Sequence, residues 1–169
     1  MTDITAQKLT DFPLFHGLGG DDLALVAGIV RTEMVEAGTV IISENERGGD
    51  LYLLEDGVVD IQKTLTIITS RTEFGTKDRS FVRLKGSDHC FFGEMVLFGN
   101  KERSATVRAV TSCRLYVIRD SDFLALSDAH PRIGYVVLTN IASILSDYLR
   151  KANTDILKLT TALSLALSG

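Results

Sequence analysis

The chain is poor in cysteine, in net positive charge and in long apolar runs, and each shortage removes a class of function. Its two cysteines, Cys90 and Cys113, have no CxxC spacing and form no framework, as expected of a reduced cytoplasmic protein, so neither needs a disulfide. Against 22 acidic side chains stand only 18 lysines and arginines, a net charge of −4, which provides no global field for DNA, RNA or anionic lipid. Charged or polar residues interrupt every hydrophobic stretch before about 18 apolar residues accumulate, so no membrane-spanning helix is expected. The polar N-terminus around Asp3 lacks the basic start and apolar stretch of a secretory signal. The only histidines, His16, His89 and His130, are too scattered for the clustered histidine and carboxylate ligands of a metal-dependent roll enzyme. No Ser-His-Asp or Cys-His pairing has a supporting motif, so neither catalysis nor a bound metal or other cofactor is expected. What remains is a chain of 169 residues, 45% hydrophobic and 24% charged, in the range of one globular core with an appendage.

Three textures follow one another. From Leu9 to Arg31, Phe12, Phe15, Leu18, Leu23, Val26, Ile29 and Val30 recur mostly at steps of three and four, broken by Pro13 and the Gly17-Leu18-Gly19-Gly20 turn. This spacing predicts two short helices, the second capped by Asp21 or Asp22. From Met34 to Arg119 short runs rich in Val, Ile, Leu, Tyr and Thr alternate with Gly and Asp at intervals of roughly ten residues, the texture of strands and turns. The expected strands are Val40–Ser43, Leu51–Glu55, Val58–Lys63, Thr66–Thr69, Ser80–Leu84, Ser104–Val110 and Arg114–Arg119, with a tight hairpin turn at Asp56-Gly57 and a protruding loop from Ser70 to Asp78. Many short strands without long intervening helices imply a closed sandwich or roll.

Beyond Asp120 the period is helical again: a short helix through Leu126 with Asp120 or Ser121 as its cap, then a long one with Pro131 in its first turn. Ile133, Val137, Ile141, Ile144, Tyr148, Ala152, Ile156, Leu159, Leu163 and Leu167 draw one apolar stripe along that long helix. A stripe of such length exceeds what a small roll covers, so a second chain is expected against part of it.

The segment from Phe91 to Ala109 carries the chemistry. A glycine precedes an acid in Phe92-Gly93-Glu94, an apolar run follows through Met95, and Arg103-Ser104-Ala105 then leads into a strand. Such a segment suits an anion. A helical turn opening at Gly93 lets a phosphate approach free N–H groups closely, and the planar Arg103 guanidinium pairs two phosphate oxygens from the other side. The Ser104 hydroxyl and the Ala105 N–H add neutral donors. Glu94 repels phosphate but accepts from a sugar hydroxyl. The alternative for Arg103 is a surface ion pair with Glu102 or Asp88, of little energetic consequence.

Residues Phe92 to Leu97 and Arg103 to Val107 resemble the phosphate-binding cassette of the cyclic nucleotide-binding domains found in catabolite activator proteins, cyclic-nucleotide-dependent kinases and gated channels. Pro13 to Leu18, Gly49 to Leu54 with Gly57, and Leu84-Lys85-Gly86 are similar to further family segments, so the resemblance runs from about Leu9 to Arg150. It implies a mainly β fold with flanking helices: an antiparallel β-roll or jelly roll, with N-terminal helices and a long C-terminal helix. It also implies that Glu94 bonds the ribose 2′-hydroxyl, Arg103 pairs the cyclic phosphate, and Ser104 and Ala105 complete the phosphate contact. Val96 stands for the family's commoner Ala and Glu102 for a frequent Pro, and neither change removes a ligand-facing group.

The expected organisation is a cyclic nucleotide-binding roll over residues 1–130 and a hinge and dimerisation helix over residues 131–169, with no DNA-reading, kinase or channel module. The expected function is a non-catalytic sensor of cAMP or cGMP, a homodimer through its last helix that signals by moving that helix toward an unidentified effector protein. The alternative is a dimeric interaction scaffold that needs no nucleotide. Tyr148 is a candidate lid over the base, although an aromatic on an apolar stripe equally suits a core or dimer contact. Ser104 leaves the choice between adenine and guanine open.

Overall fold

The computed structural model describes residues 4–67, 75–99 and 101–167, and of these the side chains of 64–67 and 75–81 are left aside. Along the chain run α1 (Ala6–Leu9), a 3-10 turn (Pro13–Phe15) and α2 (Gly20–Ala27). Eight strands follow: β1 (Val30–Val35), β2 (Val40–Ile42), β3 (Asp50–Asp56), β4 (Val58–Ile67), β5 (Gly75–Lys85), β6 (Phe91–Phe92), β7 (Thr106–Ala109) and β8 (Cys113–Arg119). Helices α3 (Asp120–Ala129) and α4 (Pro131–Leu167) close the chain. The strands form two antiparallel four-stranded sheets, β1-β8-β3-β6 and β2-β7-β4-β5. This is the β-roll that the family resemblance implied, one of the two architectures, closed sandwich or roll, that the strand spacing left open.

Alternation along β8 shows why there are two cores. Leu115 and Val117 face the second sheet and, with Leu54 and Phe92 of their own sheet, pack with its Val59 and Val107. Tyr116 and Ile118 face the other way and pack with Leu51 and Leu53 against Phe12, Phe15, Val26 and Phe123 of the helical segments. Both faces of that sheet are therefore covered, which the period-two pattern of a single strand requires when four consecutive positions, Leu115 to Ile118, are apolar and buried.

Four local expectations are corrected. Val30 opens a strand instead of closing the helical segment, because α2 ends at Ala27 and Val30 pairs with Ile118. Asp56-Gly57 is a tight turn, with Gly57 at φ +97°, but it carries the chain from one sheet to the other and is no hairpin. Val58–Lys63 and Thr66 belong to one continuous strand, and Gly75–Asp78 pairs with it through Thr64 to Ile67; positions 68–74, which hold the end of the expected strand Thr66–Thr69 and the start of the expected loop, lie outside the described residues. Neither Asp21 nor Asp22 caps α2, which starts one residue earlier behind Gly19 with no side-chain cap; Asp22 instead pairs with Arg132 of α4.

Helix α4 spans 37 residues, about 55 Å at 1.5 Å per residue. Ile133, Val137 and Ile141 are fully buried in the helical core and Leu145 packs at its margin. From Ser146 to Leu167 every residue is exposed. The helix thus starts as part of the domain and ends as a free rod.

Candidate functional site

Segment Lys101–Arg103 is strapped to the connection between β2 and β3. The Arg103 N–H donates to the Glu46 carbonyl at 2.9 Å, the Asn45 N–H to the Arg103 carbonyl at 2.9 Å, and the Gly48 N–H to the Lys101 carbonyl at 3.1 Å. This ladder turns the Arg103 side chain inward, where the residue is only 7% exposed. Its Nη2 donates to the Asp50 carbonyl at 2.9 Å and its Nη1 to the Gly93 carbonyl at 3.3 Å. The guanidinium carbon stands 5.9 Å from the centroid of Tyr52, a ring that itself stacks on Phe92 at 5.2 Å. Arg103 is therefore held by backbone oxygens and an aromatic face, and the surface ion-pair reading does not describe its setting.

Glycine is needed on two sides of that guanidinium, at 48 and 93, and at Gly49 beside Asp120. A Cβ at Gly48 would lie 2.8 Å from Nε and Nη2 of Arg103, and one at Gly49 would lie 2.6 Å from Oδ1 of Asp120. Gly93 has φ +83°, and a Cβ there would stand 2.8 Å from Arg103 Nη1 and 2.9 Å from the Asp50 carbonyl oxygen. Left-handed backbone plus close approach leaves no room for a side chain.

Behind Gly93 the expected helical turn is a 3-10 helix, Glu94–Phe98. It closes an open pocket of about 120 Å³ lined by Phe92, Gly93, Glu94, Met95, Arg103, Ser104 and Ala105, with Ile42, Ile61 and Val107 as apolar floor. Seven of the eight residues singled out in the sequence are thereby brought together. Ser104 and Ala105 lie in a bend rather than in the strand expected there, since β7 starts only at Thr106, so their backbone is not part of its ladder. Burial pushes the Glu94 carboxyl above its ordinary value, opposed by a bond from its own backbone and by the positive charge of Arg103.

Tyr148 stands apart. It sits on α4, 59% exposed, in a neighbouring groove of about 190 Å³ with Ile144 and residues Asp88 to Phe91. Burial and the charges of Cys90 and Glu94 raise its phenol above the ordinary value, so it stands within electrostatic reach of the pocket without lining it. Three contributors were not read from the sequence: Tyr52, which underlies Arg103, and Lys101 and Asp120, joined by an ion pair at 2.9 Å beside it. The tandem Gly48-Gly49 was the available signal, since adjacent glycines before a strand mark a place that side chains crowd. Among the described residues no His, Cys, Asp and Glu side chains cluster as metal ligands, and no helix is long and apolar enough to cross a membrane.

A β-roll with an inward arginine and a short helical turn across an open pocket defines a small-ligand-binding domain. The chain belongs to the cyclic nucleotide-binding domain family, whose model matches residues 32–130. It is 30% identical over 144 residues to the cyclic AMP receptor protein of Thermus thermophilus, covering 85% of this chain and 60% of that protein. It is 32% identical over 122 residues to a putative potassium channel protein of Rhodopseudomonas palustris, covering 72% of this chain and 27% of that one. The crystal structure of Thermus thermophilus catabolite activator protein superposes with a TM-score of 0.69 at 30% identity, over 88% of this chain and 63% of that one. The chain spans less than two thirds of the length of either curated relative.

Proposed function

We propose that this protein is a non-catalytic cyclic mononucleotide sensor that takes cAMP or cGMP into the pocket under Glu94–Phe98. The observation that carries the reading is Arg103: a guanidinium only 7% exposed, bonded to two backbone carbonyls, on the wall of an open pocket. Carbonyl dipoles fix the group's position without cancelling its charge, so it attracts an anion in a partly desolvated setting. The cyclic phosphate pairs with Arg103 and with donors from Ser104 and Ala105, and Glu94 accepts from the ribose 2′-hydroxyl. A pocket of about 120 Å³ is smaller than the roughly 300–1,000 Å³ of a site that encloses a whole drug-sized ligand. It suits the compact phosphate and sugar, with the base lying out along the half-exposed Met95 toward Tyr148.

The exposed half of α4 supports a homodimer. Leu149, Ile156 and Leu163 recur every seven residues and alternate with Ala152, Leu159 and Ala166, the seam of a two-stranded coiled coil. Ile156, Leu159 and Leu163 are 59–71% exposed in one chain. Residues 1–130 then act as the sensing unit and residues 131–169 as the dimerisation and output element, which an effector protein reads when nucleotide binding shifts α4. Signalling requires that the nucleotide bind more tightly in one helix position than in the other. The nucleotide-independent scaffold keeps the same seam, and the exposed leucines favour it as much as they favour the sensor.

Isothermal titration with cAMP and with cGMP separates the two. A dissociation constant of about 1 μM or lower, roughly −8 kcal/mol, is expected for at least one of them. No heat and no thermal shift with either at millimolar concentration refutes the sensor and leaves the scaffold.

A further inference from the structure

Asp120 is the first residue of α3 and is only 9% exposed, although nothing in the nucleotide reading uses it. Its N–H donates to the Gly49 carbonyl at 2.6 Å, and its Oδ1 accepts the Ser121 N–H at 2.7 Å. Its Oδ2 pairs with Lys101 at 2.9 Å. The carboxylate fills the space beside Gly49 while the Arg103 guanidinium fills the space beside Gly48, so the two groups flank adjacent residues of one turn. The Lys101 bond holds this carboxyl below its ordinary range against the opposing effect of burial, helped by the Ser121 N–H, by the charge of Lys101 and, least of these, by the charge of Arg103.

We infer that Asp120 is a built-in anionic competitor for Arg103, and that Lys101 decides how strongly it competes. This rests on the nucleotide reading of the pocket. An arriving phosphate and the resident carboxylate draw on the same guanidinium, so each weakens the other's hold. Lys101 pairs with Asp120 and diverts part of its charge away from Arg103, which favours the phosphate. Because Asp120 also binds the first turn of α3 and the Gly49 carbonyl, phosphate capture loosens the electrostatic tie between the cassette and the segment leading to α4. The arrangement sets a reversible affinity at the cost of tight binding and gives the ligand a direct route to the helices.

Titrations of cAMP and cGMP into the wild type, Asp120→Asn, Lys101→Met and the double variant test this. Asparagine retains an acceptor for the Ser121 N–H but no charge, and thermal denaturation monitors folding of each variant. Asp120→Asn is expected to bind roughly threefold to tenfold more tightly than wild type, and Lys101→Met to bind more weakly by a similar factor. In the Asp120→Asn background the effect of Lys101→Met should largely vanish, because its target is gone. A folded Asp120→Asn protein that binds equally or more weakly overturns the competition. A Lys101→Met loss of the same size in both backgrounds overturns the diverting role, since Lys101 would then act on the phosphate directly. If wild type binds neither nucleotide, the sensor reading fails and this inference fails with it.

Discussion

Replacing Arg103 with alanine should weaken nucleotide binding more than replacing Glu94. Arg103 confronts an anion from a position 7% exposed, where truncating one partner of a desolvated charge pair costs on the order of 2–5 kcal/mol, or about 30-fold to 4,000-fold in affinity. Glu94 accepts from a neutral hydroxyl. A bond to a charged group is worth about 1.5–3 kcal/mol, or about 10-fold to 150-fold. The arginine also ties the Asp50 and Gly93 carbonyls together, so Arg103→Ala should lower the melting temperature as well. Arg103→Lys keeps the charge while losing the fork that reaches both carbonyls and two phosphate oxygens, and should fall between wild type and alanine. Titration calorimetry on the three variants, with denaturation curves to establish folding, gives the ranking. If Glu94→Ala binds more weakly than a folded Arg103→Ala, the charge-pair account of the pocket is wrong.

Gly93→Ala forces a Cβ against Arg103 Nη1 and the Asp50 carbonyl at φ +83°, so both stability and affinity should drop, whereas alanine at Gly99, which also has positive φ but nothing within 4 Å, should cost stability alone; calorimetry and melting of the two variants check the contrast. The raised Glu94 carboxyl protonates above its ordinary 4.5, so affinity should fall as pH drops through that elevated value, and Glu94→Gln should flatten the profile measured by titration from pH 7 downward. For folding the sign at Glu94 is the opposite of that at Asp60 and Asp120. Charged Glu94 opposes the folded state at high pH, whereas Asp60 with Arg83 and Asp120 with Lys101 stabilise it above their unfolded value of 3.8, and that stability is lost as pH falls through their depressed folded values; urea melts of Asp60→Asn against wild type at pH 7 and below pH 3.8 test it, the destabilisation at pH 7 shrinking in acid. Deleting residues 146–169 should turn a dimer into a monomer of nearly unchanged fold, because every described residue in that stretch, 146–167, is exposed, while a wild-type chain that sediments as a monomer at tens of micromolar refutes the seam.

The roll was legible wherever burial on one face imposed a local period. Strands β3, β4, β7 and β8 fall near their expected positions because each carries β-branched or aromatic residues between polar turns. The strand β1 was not legible, since Val30 continues the three-and-four spacing of α2 and only its pairing with Ile118, far along the chain, decides for a strand. Phe91–Phe92 was equally hidden: a two-residue strand has no period, and Tyr52 and Leu53 supply its ladder. Asp56-Gly57 has the composition of a hairpin turn, and nothing local distinguishes a turn within a sheet from one that crosses between two.

The site divides along the same line. Glu94, Arg103, Ser104 and Ala105 were readable because they are close in sequence and chemically unlike the strands around them. What Arg103 touches was not readable, because its bonds reach back to Asp50, a separation of 53 residues, and its aromatic support comes from Tyr52. The Lys101–Asp120 pair belongs to this second kind. Neither Asp120 nor Ser121 is the cap expected of α3: the helix starts at Asp120 behind Arg119 with no side-chain cap, and the Asp120 carboxylate takes the Ser121 N–H from within the first turn, while Lys101 is exposed over most of its side chain. Only the roll's closure sets that carboxylate beside Arg103 and its neighbours, with the glycines at 48 and 49 giving up their side chains to make room. A residue that satisfies a helix terminus and an electrostatic balance at once is constrained from both sides. Its substitution should therefore separate affinity from stability, which a simple cap would not do.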